Sequence, residues 1–137
     1  MTKTFPILLS FCIASLAAAP VFADDYTAVS NTAMSVTGDI SMDDFSIDFQ
    51  NGESLAFSDL VADHFLVDGR RVPASVYRVA EPADPMLENG NQLCGNGDVS
   101  YVATWGDGAG MTAVAVFAGS RAPKNSDQMC ASYSYQD

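Results

Sequence analysis

In Phe45-Ser46-Ile47-Asp48-Phe49-Gln50-Asn51-Gly52-Glu53-Ser54-Leu55-Ala56-Phe57, large apolar side chains fall on every second residue on either side of an Asn-Gly pair. That period of two is the mark of a strand with one face buried, and Asn-Gly between two such runs marks a hairpin. The length of the turn is testable by the faces it creates. A two-residue Asn51-Gly52 loop pairs Gln50 with Glu53, sets Leu55 against Asp48 and splits the apolar residues between both faces. A three-residue loop, Gln50-Asn51-Gly52 with Gly52 left-handed, instead pairs Ile47 with Leu55 and Phe45 with Phe57. The second register puts every large apolar side chain on one face and is the one expected.

The same grammar continues outward. Phe65-Leu66-Val67 runs into Asp68-Gly69, a second hairpin signal, and Val76-Tyr77-Arg78-Val79 reads as the return strand after a break at Pro73. Glu81-Pro82-Ala83-Asp84-Pro85 reads as a loop, and the span to Gly97 as irregular apart from a turn of helix near Met86-Leu87. Val99 to Trp105 and Met111 to Phe117 are the strongest strands, joined by Gly106-Asp107-Gly108-Ala109-Gly110, and Ala131 to Tyr135 is the last. No stretch carries a sustained helical stripe. The expected fold is all-β, an antiparallel sandwich or small barrel of about seven to eight strands.

Residues 1–23 read as an export signal. Lys3 is followed by a nearly unbroken apolar run from Phe5 to Ala19, and Val21-Phe22-Ala23 supplies the small residues of a cleavage site before Asp24. The run is shorter than the roughly 20 residues that cross a bilayer. Phe11 before Cys12 does not fit a lipid-anchor motif, so Cys12 leaves with the signal. The expected product is one domain, 24–137, periplasmic or secreted. In an oxidising compartment its two cysteines, Cys94 and Cys130, read as a disulfide.

Charge narrows the function. The whole chain has 17 acids against 6 bases, and without Lys3 the product stands at −12. Such an excess argues against nucleic-acid binding, which rests on cations neutralising phosphates. An apolar share of 48% argues against disorder. The excess is also uneven: Asp24 to Asp68 carries ten acids and no Lys or Arg, whereas the five bases Arg70, Arg71, Arg78, Arg121 and Lys124 all follow.

Ile40 to Ala56, Val76-Tyr77-Arg78-Val79, Pro82-Ala83-Asp84-Pro85, Asn89-Gly90-Asn91-Gln92-Leu93-Cys94, Ala115-Val116-Phe117 and Cys130-Ala131-Ser132-Tyr133-Ser134-Tyr135 resemble a family of small exported proteobacterial proteins without assigned activity. The resemblance spans most of 24–137. It implies export and the Cys94–Cys130 link, and no functional residue.

Chemistry is sparse. His64 is the single histidine, so any nucleophile–base arrangement must include it, and its sequence neighbour Asp63 should face the other way on a strand. Among seventeen acids no carboxylate pair stands out. Gly95-Asn96-Gly97-Asp98 and Gly106-Asp107-Gly108 place glycine beside aspartate but match no calcium-loop pattern, and nothing suits zinc. No catalytic residue, metal ligand or cofactor site is therefore expected. Tyr101 and Trp105 share a strand face; buried, they are packing, and exposed, they would form with Asp107 a partner-contact patch. The expectation is a non-catalytic binding module for a basic protein partner, with no membrane insertion after signal removal. The alternatives are a protein like the lysozyme inhibitors, of which Gly106 to Met111 is a faint echo, a structural envelope component, or a carboxylate-based hydrolase.

Overall fold

The computed structural model describes residues 23–137; the expected leader, apart from Ala23, lies outside them. Eight strands form a closed antiparallel barrel: β1 (Asp24–Ala28), β2 (Ile40–Met42), β3 (Ser46–Phe49), β4 (Ser54–Val67), β5 (Arg70–Ala83), β6 (Val99–Gly106), β7 (Met111–Ala118) and β8 (Ala131–Gln136). Each strand pairs with the next, and β1 returns to pair with β8. Sandwich and barrel are thus resolved in favour of the barrel.

The β3–β4 hairpin adopts the three-residue register. Ile47 stands opposite Leu55, the Phe49 amide bonds to the Glu53 carbonyl at 2.8 Å, and Gly52 has φ 95°. Asn51 holds the turn by accepting from the Glu53 amide at 3.0 Å. Phe45 departs from expectation: its carbonyl accepts from the Phe57 amide at 2.7 Å, so the pairing is kept, yet its side chain is 64% exposed. The Asp43 carboxylate binds the amides of Phe45 and Ser46, turning the chain just before the strand begins and swinging Phe45 off the buried face.

The barrel interior is apolar. Ile40, Met42, Ile47, Phe49, Leu55, Phe57, Tyr77, Val79, Val102, Val114, Val116, Tyr133 and Tyr135 fill it, while Asp25, Asp48 and Ser54 point outward. This is the reverse of a lipid-facing barrel. A wide helical turn, Ala33–Thr37, and the loop carrying Leu87 and Leu93 pack on the same core. They are tied to it by two buried hydroxyls. Tyr135 Oη and Thr37 Oγ1 lie 2.7 Å apart, and Tyr133 donates to the Leu93 carbonyl at 2.5 Å. Burial pushes the Tyr133 hydroxyl up to about 12, with the Asp84 charge adding to it.

Two strand assignments differ from the sequence reading. Pro73 does not break β5, because it lies where β5 has β4 as its neighbour and pairing with β6 begins at Ser75. An edge position tolerates a missing amide proton. Likewise Glu81, Pro82 and Ala83 belong to β5 rather than to a loop. Arg78 pairs with Tyr101 and Ala83 with Val99, so a single residue of β6 faces the four residues between, and Pro82 sits in that bulge. The helical turn expected near Met86-Leu87 is a short one at Glu88–Gly90.

The central departure is that β4 and β5 are each 14 residues long. They form one hairpin through Asp68-Gly69, with φ 50° and 79°, the positive pair a tight two-residue turn demands. Three register shifts bend it, between Phe57 and Asp59, Leu60 and Ala62, and Ala62 and His64. The outer part folds back as an arm over the outside of the barrel. Phe65, only 1% exposed, lies against Trp105 and Phe117 at ring separations of 5.6 and 5.7 Å. Val76, Tyr101, Ala103, Ala113 and Ala115 complete this second core. It explains the unbroken Ala113-Val114-Ala115-Val116-Phe117 run: one parity faces the barrel interior, the other the arm. The tip is fastened by bonds from the Leu66 amide to the Lys124 carbonyl, 3.2 Å, and from the Asp68 amide to Ser126 Oγ, 3.3 Å.

Cys94 and Cys130 are bonded, with Cα atoms 5.5 Å apart, joining the chain just before β8 to the loop preceding β6. Asp84 braces the same loop by accepting from the amides of Cys94 and Gly95 at 2.7 and 2.8 Å.

Candidate functional site

Tyr101 and Trp105 are not a surface patch. They are 5% and 9% exposed, and the parity that puts them outside the barrel puts them under the arm. Both rings are packed in the second core, leaving only a small edge of each at the surface. Asp107, the third member of that candidate contact, stays exposed in the β6–β7 turn, where its amide bonds to the Met111 carbonyl at 2.8 Å.

The relation of Asp63 to His64 is also corrected. They do not face apart: the shift between Ala62 and His64 breaks strict alternation, and His64 Nδ1 lies 2.9 Å from Asp63 Oδ1. The side chains are 49% and 89% exposed. The bond to His64 lowers the Asp63 carboxyl from its ordinary range. Two shallow clefts adjoin the pair, one lined by Asp63, His64, Arg71, Val72 and Pro73, the other by Ala62, His64, Leu66, Arg71, Pro123 and Lys124. Neither lining supplies a serine, threonine or cysteine beside His64, so the hydroxyl or thiol member of a nucleophile–histidine–acid arrangement is not among the residues of these two clefts. Among the described residues no three His, Cys, Asp or Glu side chains gather as a metal cluster.

The β5 bulge opens a cleft of about 340 Å³ lined by Arg78, Val79, Pro82, Ser100, Tyr101 and Ser120 among others. Its cation is already engaged. Arg78 donates to Asp59 at 2.6 Å and lies 5.9 Å from the Tyr101 ring centroid. Those contacts hold the guanidinium above its ordinary range, the Tyr101 contact most.

Part of the acidic half gathers at one groove. Asp25 on β1, Asp39 before β2 and Asp48 on β3 converge on a groove of about 310 Å³, together with Tyr26, Thr27, Ser41 and Gln50. Asp48 faces out because Ile47 and Phe49 face in, and Ser41 opposes it across the β2–β3 ladder. Asp25 accepts from Ser41 Oγ at 2.6 Å, and Asp39 accepts from the Ala28 amide at 2.9 Å. No Lys or Arg lines this groove. The bases lie elsewhere: the arm that carries Arg70 and Arg71 covers β6 and β7, half a circuit of the barrel from β2. The outward register of Asp48 was legible in the sequence. Its meeting with Asp25 and Asp39 was not, because β1 and β2 are too short to carry a period.

No protein-family model matches the chain, and searches of curated proteins and of solved structures yield no significant match.

Proposed function

We infer that the protein is a non-catalytic binding module that acts outside the cytoplasm and docks a basic protein partner on the face made by β1, β2 and β3. The observation that carries this reading is the groove where Asp25, Asp39 and Asp48 converge with no cation among its lining residues. A disulfide in the fold accords with an oxidising compartment. A field of one sign steers a cationic partner and raises its association rate, and salt weakens it over a Debye length of about 8 Å at physiological ionic strength.

The test is titration with a cationic globular protein such as lysozyme, and with an oligolysine peptide, at low and physiological salt. Two triple variants separate a docking face from bulk charge: Asp25→Asn/Asp39→Asn/Asp48→Asn, and the remote Asp98→Asn/Asp107→Asn/Asp127→Asn. Both change net charge equally. Saturable binding that salt weakens, and that the first triple reduces far more than the second, supports the reading. No binding to either probe, or equal loss in both triples, overturns it.

A further inference from the structure

We propose that the cleft between the outer side of the arm and the β7–β8 connection binds a small organic anion with an apolar body, a medium-chain carboxylate. The cleft holds about 370 Å³ and is lined by Ala62, Leu66 and Pro123 together with His64, Arg71 and Lys124. Three separate segments therefore bring nitrogen-bearing side chains to one place: His64 from β4, Arg71 from β5 and Lys124 from the connection to β8. The seam is fixed by main-chain contacts, the Leu66 amide on the Lys124 carbonyl and a parallel bridge from Leu66 to Asn125.

The charge of this cleft runs against that of the molecule. With seventeen acids and five bases in residues 24–137, most cations would be expected to find a carboxylate. Yet Arg78 is the one Lys or Arg held in an ion pair among the described residues. Neither Arg71 nor Lys124 forms an ion pair among the described residues and no acid lines this cleft, although Arg71 also borders the adjoining cleft with Asp63 and lowers that carboxyl through space. Asp63 lies in the adjoining cleft, held on His64 Nδ1. Leu66, meanwhile, is a large apolar side chain left 38% exposed beside those charges. An apolar floor wants a hydrocarbon, and Arg71 with Lys124 wants an anionic head. A ligand with both satisfies both, whereas a bare anion leaves Leu66 wet and a neutral amphiphile leaves the cations unpaired.

Octanoate is the probe, followed by amide chemical shifts in nitrogen-15-labelled protein, with acetate and octyl glucoside as the head alone and the tail alone. The expected result is saturable shifts confined to the Ala62–Leu66 segment, Arg71 and residues 122–125, with a dissociation constant on the order of a millimolar. Arg71→Gln and Lys124→Gln should each weaken binding up to about fivefold, the worth of one exposed ion pair. Arg70→Gln, which removes a charge that does not line the cleft, should leave it unchanged, and the unperturbed spectrum of each variant verifies its fold. Several results would overturn the proposal: absent or scattered shifts, equal binding of acetate or of octyl glucoside, or equal weakening by all three substitutions. The outcome is independent of the acidic face, since neither cation lies in that groove.

Discussion

Replacing Phe65 by alanine tests whether the arm is an integral layer of the fold. The side chain is buried at 1% exposure between Trp105 and Phe117, with interplanar angles of 29° and 73°. Removing a buried phenylalanine ring costs about 3–5 kcal/mol once the unfilled cavity is counted, and two aromatic contacts place this site in the upper part of that range. For a domain of this length that corresponds to a fall in Tm of about 12–20 °C. Trp105 is the sole tryptophan, so it reports on the arm without interference. In Phe65→Ala its emission should shift to the red and become more accessible to acrylamide under native conditions, while far-ultraviolet circular dichroism still shows a folded barrel. Leu60→Ala serves as the control, because Leu60 is on the same strand yet 58% exposed, and should change stability by less than about 0.5 kcal/mol. If Phe65→Ala leaves both the emission and Tm unchanged, the arm does not cover the barrel and the second core is wrong.

Three further outcomes follow from the geometry. Loss of the Cys94–Cys130 bond, whose partners are 36 residues apart, should lower stability by about 3–4 kcal/mol in the chain-entropy account, measured by denaturation with and without reductant. Gly38→Ala should cost at least about 2 kcal/mol more than Gly90→Ala. Both glycines have positive φ, 62° and 72°, but a Cβ at Gly38 would lie 2.7 Å from Gln50 Cβ whereas Gly90 faces open space, so equal melting shifts would refute the clash. Alkali should destabilise the protein between pH 10 and 12. Tyr77 and Tyr133 are raised from 10.0 to about 12 by burial, so the unfolded chain loses those protons first and stability falls as pH rises through that interval. A denaturant midpoint that stays level between those limits would contradict the buried hydroxyls.

What could be read from the sequence was what neighbouring residues determine between themselves. The Asn51-Gly52 register followed from asking which turn length keeps Ile47 and Leu55 on one face. Asp68-Gly69 marked its hairpin, and Cys94 and Cys130 their bond, because each signal is local or arithmetical. The misreadings share a different origin. Pro73 and Pro82 break a strand only where their missing amide protons are needed, and an edge and a bulge remove that need. Tyr101 and Trp105 alternate correctly, but whether their face meets water depends on an arm that bends back from elsewhere. Ala113 to Phe117 was read only as a strong strand; its lack of alternation fits the two covered faces that the structure shows, and what covers the second comes from another part of the chain. The clefts and the acidic groove are set by how strands and connections lie side by side in the barrel, so the charge imbalance was visible in the sequence and its layout was not.

The seam between β1 and β8 has a consequence for the order of assembly. Every other strand pairs with its successor, so seven ladders join neighbours in sequence, some through tight turns and some through longer connections, but the eighth must join Thr27 to Gln136 and Ala28 to Tyr135. Closing a chain of that span costs about 3 kcal/mol more than closing a tight turn. The return is two ladder pairs, the Val29 and Ser30 amides on the Ser134 carbonyl at 3.0 and 3.3 Å, the Ser134 amide on Ser30 Oγ at 3.1 Å, the Thr32 hydroxyl on the Ser132 carbonyl at 3.2 Å, and the edge of Tyr26 against Tyr135. The ring should therefore shut last and open first, with amide protons along β1 exchanging sooner than those of β6 and β7. In its unclosed moments β8 is a bare edge able to accept a foreign strand.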